Sequence, residues 1–261
     1  MQIVIIGSGN VASVLGRLCK QRGHEIVQVV SRNAAHAKLL ADELNCAYAD
    51  YNEKLNDSAG LYILAVADTA LQELNKSINL GNKLILHTAG SVSKDVLKDI
   101  SHNYGVLYPL QSLRKEMDYQ TDIPFLIDGN TADTLTLVED FAKTLSTNVT
   151  KTNDDERLKL HVAAVVVSNF TNHLYAIAED FCKKENVDFA LLTPLIKETA
   201  ERITHFSPAV VQTGPAVRND IFTIDKHLRI LSNHPQLKYM YIKLTDSIMA
   251  SPRTSPGGEG V

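Results

Sequence analysis

The chain of 261 residues has no tryptophan, and aromatic residues make up only 6 % of it. Stacking a large flavin takes aromatic faces, so this composition offers little for one. Cysteine is scarce too. Cys19, Cys46 and Cys182 are scattered, and the Cys and His positions show no CxxC or HxxxH pair. That excludes a disulfide framework and gives no ligand spacing for a structural metal; packed thiols of this kind suit a reducing cytoplasm. Long apolar runs are missing. Strongly apolar stretches such as 162–167 fall far short of the ~20 residues that span a bilayer. No basic run occurs and the net charge is −4, which argues against binding nucleic acid through its phosphates. Met1 leads straight into an apolar strand with no signal-peptide pattern, so a cytoplasmic, soluble protein is expected.

What the chain does have is concentrated in its first thirty residues. Gln2 to Ile6 reads as a buried strand, Gly7-Ser8-Gly9-Asn10-Val11-Ala12 as a turn opening a helix, and Glu25 to Val30 as a second buried strand. This is GxGxxA at the start of a strand–helix–strand unit, the arrangement that holds a dinucleotide. Gly7 permits the turn, Gly9 lets the backbone approach the pyrophosphate, and Ala12 allows close helix packing. The helix N-terminus then faces the phosphates with free N–H groups. An NAD site usually carries Asp or Glu at the end of the second strand, bonding the ribose 2′-hydroxyl. Here stand Ser31, Arg32 and Asn33. Arg32 suits a 2′-phosphate, with Ser31 and Asn33 adding neutral hydrogen bonds, so NADP(H) is the expected cofactor. The alternative for Arg32 is a solvated surface arginine.

Further along, apolar strands alternate with amphipathic helices: a helix over 34–44, a short strand near 46–48, a strand at 61–66, a helix from 68 to about 77, a strand at 83–87, a helix near 93–100, strands at 106–109 and 124–127, a helix over 131–145 and a last strand at 148–151. This pattern predicts a doubly wound, mainly parallel sheet. From Asp154 on, helices alone are expected: one long helix to about 185, then 189–206, 224–231 and 235–249. The reading is therefore a Rossmann domain over 1–152, an all-α domain over 153–250 and a disordered Pro/Gly/Ser-rich tail over 251–261.

Ligands of such sheets lie at the carboxyl ends of the strands. That brings Ala65, Val66, Ala67, His87, Thr88 and Ala89 into the set expected around the cofactor, with Tyr108 to Gln111 lining the cleft. Asp68, Ser91 and Ser93 read more simply as helix caps. On the long helix, His161, Ser168 and Asn172 fall within about 20° of one line at 100° per residue, with Asn169 on the flank. Such a polar line borders a wet cleft or bonds other helices in the core. Gly214-Pro215 breaks the later helices and precedes Arg218 and Asp220, which read as an anion clamp or as a surface pair and helix cap.

Taken together, GSGNVA, HTAGS, YPLQS, LHVAAVVVSN and TGPAVRND with His227 resemble one family, over roughly residues 2 to 250. It is the family of Rossmann-like proteins with a C-terminal helical domain of unknown function. That family is similar to the NADP-binding proteins of the 6-phosphogluconate dehydrogenase C-terminal-like superfamily, which includes pyrroline-5-carboxylate reductase, ketopantoate reductase and deazaflavin-dependent NADP reductases. The resemblance implies an NADP-binding domain, dimerisation through the C-terminal helices, and a family pattern falling on His161, Ser168, Asn169, Gly214, Pro215, Arg218, Asp220 and His227. Two departures stand out. β-Hydroxyacid dehydrogenases and ketopantoate reductases place a catalytic Lys four residues before the Asn, where this chain has Val165, so their mechanism does not transfer. Family members often have Gly between the Arg and Asp, where Asn219 stands here. The expectation is an oxidoreductase reducing a small anionic carbonyl or imine compound with NADPH, with His161 as general acid, Asn169 orienting and Arg218 fixing the anion. The alternatives are a non-catalytic NADP(H)-binding sensor or partner-binding protein and, more weakly, hydride transfer to a deazaflavin.

Overall fold

The computed structural model describes residues 1–74, 78–117 and 122–251. The expected tail, apart from Ser251, and the last residues of the helix expected to end near 77 lie outside them. The chain divides into two compact units, Met1–Ser168 and Asn169–Val261.

The first unit opens with β1 (Gln2–Ile6), α1 (Asn10–Gln21), β2 (Glu25–Val30), α2 (Ala34–Leu44), β3 (Ala47–Ala49), β4 (Leu61–Leu64), α3 (Asp68–Leu74) and β5 (Gly81–His87). It continues with β6 (Ser101–Pro109), β7 (Phe125–Gly129), α4 (Ala132–Leu145), β8 (Val149–Lys151) and α5 (Asp154–Ala164). The eight strands form one sheet in the order β3-β2-β1-β4-β5-β6-β7-β8. Neighbours are parallel except at β6–β7, where the chain reverses. The apolar runs are continuous because both faces of the sheet are covered. Alternate residues of β1 go to opposite sides: Ile3 and Ile5 pack with Leu15, Leu44 and Phe141, while Val4 and Ile6 pack with Tyr62, Leu71 and Leu97.

The helix expected near 93–100 is only a 3-10 turn, Lys94–Leu97, capped by Ser93. The segment is drawn into the sheet instead. Ser101 pairs with Gly81, its hydroxyl bonds the carbonyl oxygens of Gly81 and Lys83, and β6 begins there. Burial pushes the Cys19 thiol up to about 12 and the Cys46 thiol up to about 11, so both are packed, protonated thiols.

Asn153 starts α5 with a capping box: its side chain accepts from the Glu156 N–H and the Glu156 carboxylate accepts from its own N–H. The long helix does not keep one winding. A π-helical segment, Val165–Phe170, follows α5 and precedes α6 (Thr171–Lys184). Its i→i+5 bonding winds more slowly than 100° per residue, so the line drawn from His161 to Asn172 does not carry across it, and Asn172 is exposed.

The second unit holds α6, a 3-10 turn at Phe189–Leu192 that leads into α7 (Thr193–His205), then α8 (Ile221–Ile230) and α9 (Pro235–Ala250). His234 bonds Glu185 at 2.7 Å and packs edge-on against Phe181, joining the start of α9 to the end of α6. Among the described residues, no helix is long and apolar enough to cross a membrane.

Candidate active site and nucleotide cleft

β1 delivers the chain to Gly7, whose N–H bonds Val30 O at 2.7 Å on β2. Gly7 has φ +129°, and a Cβ there would lie 2.1 Å from the carbonyl oxygen of Ala65, just past β4. Only glycine fits between these strands. Gly9 is the N-cap of α1. It has no side chain to satisfy the helix's first N–H groups, and no acid occupies the first turn. A Cβ at Gly9 would meet nothing within 4 Å. Open space over an uncapped helix N-terminus is what a pyrophosphate requires.

Around this turn lies a cleft of about 470 Å3, lined by Gly7, Ser8 and Gly9 from the turn, Ser31, Arg32 and Asn33 from the end of β2, and Ala65, Val66 and Ala67 from the end of β4. Nine of the residues expected around the cofactor are thus brought together. Ser8 and Ser31 share a 2.8 Å hydrogen bond, and no carboxylate stands where a ribose 2′-hydroxyl would need one. Asn33 caps α2, accepting from the N–H groups of Ala35 and His36, so its carbonyl oxygen is already engaged. His36, Tyr51, Thr69 and Ala70 also line the cleft and were not expected from the sequence. His36 follows Arg32 by four residues, a spacing that was legible. Tyr51 comes from beyond β3, where no local pattern marks it. Its hydroxyl is bonded by the Arg32 backbone, and burial raises its pKa above the ordinary phenol value. Asn10 and Val11 do not line the cleft: Asn10 accepts from the Lys115 N–H at 3.4 Å, and Val11 packs on the core.

A second group gathers at the carboxyl ends of β4, β5 and β6. Asp68 opens α3, and its carboxylate accepts the Ser91 hydroxyl bond. Tyr108, near the end of β6, meets His161 on α5: Oη lies 2.9 Å from Nδ1, with the rings edge-on at 5.8 Å. Both rings lie over Gly90. A Cβ at Gly90 would be 2.6 Å from His161 Nδ1 and 2.9 Å from Tyr108 Cζ, so the pair exists because residue 90 is glycine. Burial raises the Tyr108 hydroxyl above its ordinary range, and the charge of Asp68 adds to this, so it is a protonated phenol at neutral pH. Ser112, in the segment after β6, bonds Ser168 at 2.8 Å.

His87 behaves otherwise. Its side chain is fully buried. Nδ1 accepts from the Ala89 N–H at 3.1 Å, and burial, aided by the charge of Arg157, holds the ring down to about 4. The imidazole is neutral with its proton on Nε2, which faces the Ser93 backbone without a well-formed hydrogen bond. Thr88 turns its hydroxyl to Leu64 O. Beside His87 lies Arg157, which no sequence pattern singles out and which is only 1 % exposed. One guanidinium nitrogen donates to Val92 O and to Asp154 at 2.7 Å.

The remaining expected residues lie in the second unit. Asn169 is exposed within the π-helical segment. Arg218 is exposed in the segment that Gly214 opens at φ +109°. Asn219 takes φ +53°, the left-handed region that Asn tolerates. Asp220 caps α8. Bonds from Thr223 hold its carboxyl below the usual range, with Arg218 assisting. His227 Nδ1 pairs with Tyr241 Oη at 2.8 Å.

The sequence matches two families. Residues 2–90 match the family described as NADP oxidoreductase coenzyme F420-dependent, and residues 123–248 match a domain of unknown function, DUF2520. No curated protein matches the chain. Among solved structures, BF3122 of Bacteroides fragilis, assigned as an NADP oxidoreductase, is 37 % identical with a TM-score of 0.90, over 96 % of this chain and 98 % of that one. A 1-pyrroline-5-carboxylate reductase from Streptococcus pyogenes is 17 % identical (TM-score 0.63, 96 % and 99 % covered). A reductive aminase from Aspergillus terreus, solved with NADPH and ethyl-5-oxohexanoate, is 15 % identical (TM-score 0.69, 97 % and 94 % covered). The last two share the fold.

Proposed function

Because the chain belongs to the NADP oxidoreductase family whose C-terminal part is the DUF2520 domain, we propose that it reduces a small carbonyl or imine compound carrying an anionic group. NADP(H) is the cofactor of this family, and when bound it supplies the hydride. Gly7 to Gly9 and the N-terminus of α1 suit the pyrophosphate, and Arg32 suits the 2′-phosphate. His161 is the general acid, holding the proton that neutralises the reduced nitrogen or oxygen; an imidazole suits donation near neutrality. Arg218 fixes the anionic group and Asn169 orients the substrate. The observation that carries this reading is the His161–Tyr108 pair over Gly90, at the carboxyl ends of the strands where ligands of open sheets bind. The reductive aminase and the pyrroline-5-carboxylate reductase favour an imine over a ketone.

The test is NADPH oxidation against a panel of carboxylated imines and ketones, alongside nucleotide titrations. His161→Ala should cut turnover about 100-fold or more and leave NADPH affinity in place. Arg32→Ala should weaken NADPH about 10- to 100-fold and NADH little. Equal loss of turnover and affinity in His161→Ala would make it a structural histidine. Val165, at the position of the lysine acid of relatives, favours a second reading: a protein that binds NADP(H) without consuming it. Tight binding with no oxidation across the panel would select that reading.

We also propose a cytoplasmic homodimer formed through the C-terminal helices. Leu191 and Phe222 in the second unit are 76 % and 70 % exposed, a large apolar load for a lone chain in water. Light scattering at the mass of one chain would exclude the dimer.

A further inference from the structure

We propose that Tyr108 is a positioning residue for His161: its hydroxyl pairs with Nδ1 in both charge states of the imidazole and so fixes Nε2 as the nitrogen that exchanges the proton. The inference rests on the proposed reduction only for what that proton is used for.

Three observations carry it. Oη of Tyr108 lies 2.9 Å from Nδ1 of His161, and Nε2 has no partner among the described residues. The two side chains come from β6 and α5, 53 residues apart in sequence, and pack over a residue where any Cβ would force them aside. The hydroxyl is half-buried and stays a neutral phenol, so its oxygen can accept from Nδ1–H both in the charged ring and in the neutral ring that has given up its Nε2 proton. A carboxylate at this place would favour only the charged ring. The charges that act on the Tyr108 hydroxyl are Asp68, held by Ser91, and Arg157, one helical turn before His161 on α5. They are of opposite sign, and neither replaces the bond to Nδ1.

The proton inventory follows. The imidazolium gives the Nε2 proton to the nitrogen or oxygen of the reduced bond. It becomes neutral, keeps its Nδ1 proton on Tyr108 Oη, and regains a proton at Nε2 from water.

The test is long-range proton–nitrogen NMR of the full-length protein with labelled histidine, the His161 signals being those lost in His161→Gln. In Tyr108→Phe the tautomer balance of the neutral His161 ring should move from Nδ1–H toward Nε2–H, since Nδ1–H then lacks its acceptor. Gly90→Ala, which separates the rings, should shift it the same way. On substrates that the wild type turns over, Tyr108→Phe should lower kcat about tenfold and leave the NADPH affinity unchanged. A neutral-ring tautomer balance in Tyr108→Phe equal to that of wild type would overturn the proposal, whatever the activity. A clear shift with undiminished turnover in His161→Gln would leave the pairing in place and overturn the general-acid reading instead.

Discussion

Gly9→Ala is expected to abolish NADPH binding in a protein that stays folded, whereas Gly7→Ala is expected to unfold the first unit. The two glycines sit two residues apart in one motif, yet their surroundings are opposite. A methyl at Gly9 enters empty space, and its φ of −85° suits any residue. The fold loses no more than the ~1 kcal/mol that separates glycine from alanine as an N-cap. In the proposed mode a pyrophosphate would lie in that empty space against the helix, so the methyl should cost at least ~100-fold in affinity. At Gly7 the methyl would lie 2.1 Å from a backbone oxygen of the neighbouring strand connection, at a φ that side chains rarely adopt. Strain and overlap together are expected to exceed ~3 kcal/mol. Thermal melts and NADPH fluorescence titrations of both variants decide it. Undiminished NADPH binding by Gly9→Ala would remove the pyrophosphate from this turn.

Arg157 carries the second large effect. Its guanidinium is buried with two nitrogens unpartnered among the described residues, and the third bridges Val92 O and Asp154. Arg157→Ala is expected to destabilise by ~3–5 kcal/mol, from the lost pair and the cavity left by the largest fully buried side chain. Arg157→Met should recover most of that, because it refills the volume and strands no charge. Asp154 is a third exposed and keeps the Lys94 N–H. Urea unfolding of the two variants is the measurement. A loss below ~1 kcal/mol in Arg157→Ala would show that burial of the arginine contributes nothing to holding α5.

Much of the frame was legible. β1 and β4 show continuous apolar runs because they are covered on both faces, and the GxGxxA turn names its own partners through the need for glycine. The absent acid after β2 was equally plain. Legibility ended where a residue's fate depended on distant chain. His87 stands at a strand end and so reads as a cleft residue, yet its ring goes into the interior beside Arg157. Arg157 reads as one cation in a charged helix start, and nothing local says that it is buried. The 93–100 segment has helical composition, but Ser101 finds two carbonyl oxygens on β5 and the chain extends. Tyr108 and His161 are each visible as candidates, and their pairing is not, because Gly90 supplies the room from a third place. Asn172 looked aligned with His161 only on the assumption of regular winding, which the π-helical segment breaks.

The reversal at β7 sets a length. β7 and β8 run against the rest of the sheet, so the chain leaves β8 heading away from the cofactor end, and α5 has to turn back. As it returns it meets the segment after β5 in reverse order: Asp154 at Lys94, Arg157 at Val92, His161 at Gly90. The helix acts as a ruler laid along that segment, graduated in turns. Between the buried anchor at 157 and the imidazole at 161 there is room for one turn only. A single residue more or fewer would swing the ring by about 100°, away from Gly90 and Tyr108. Substitution can vary the solvent face of α5 freely, but the register between those two positions admits no insertion.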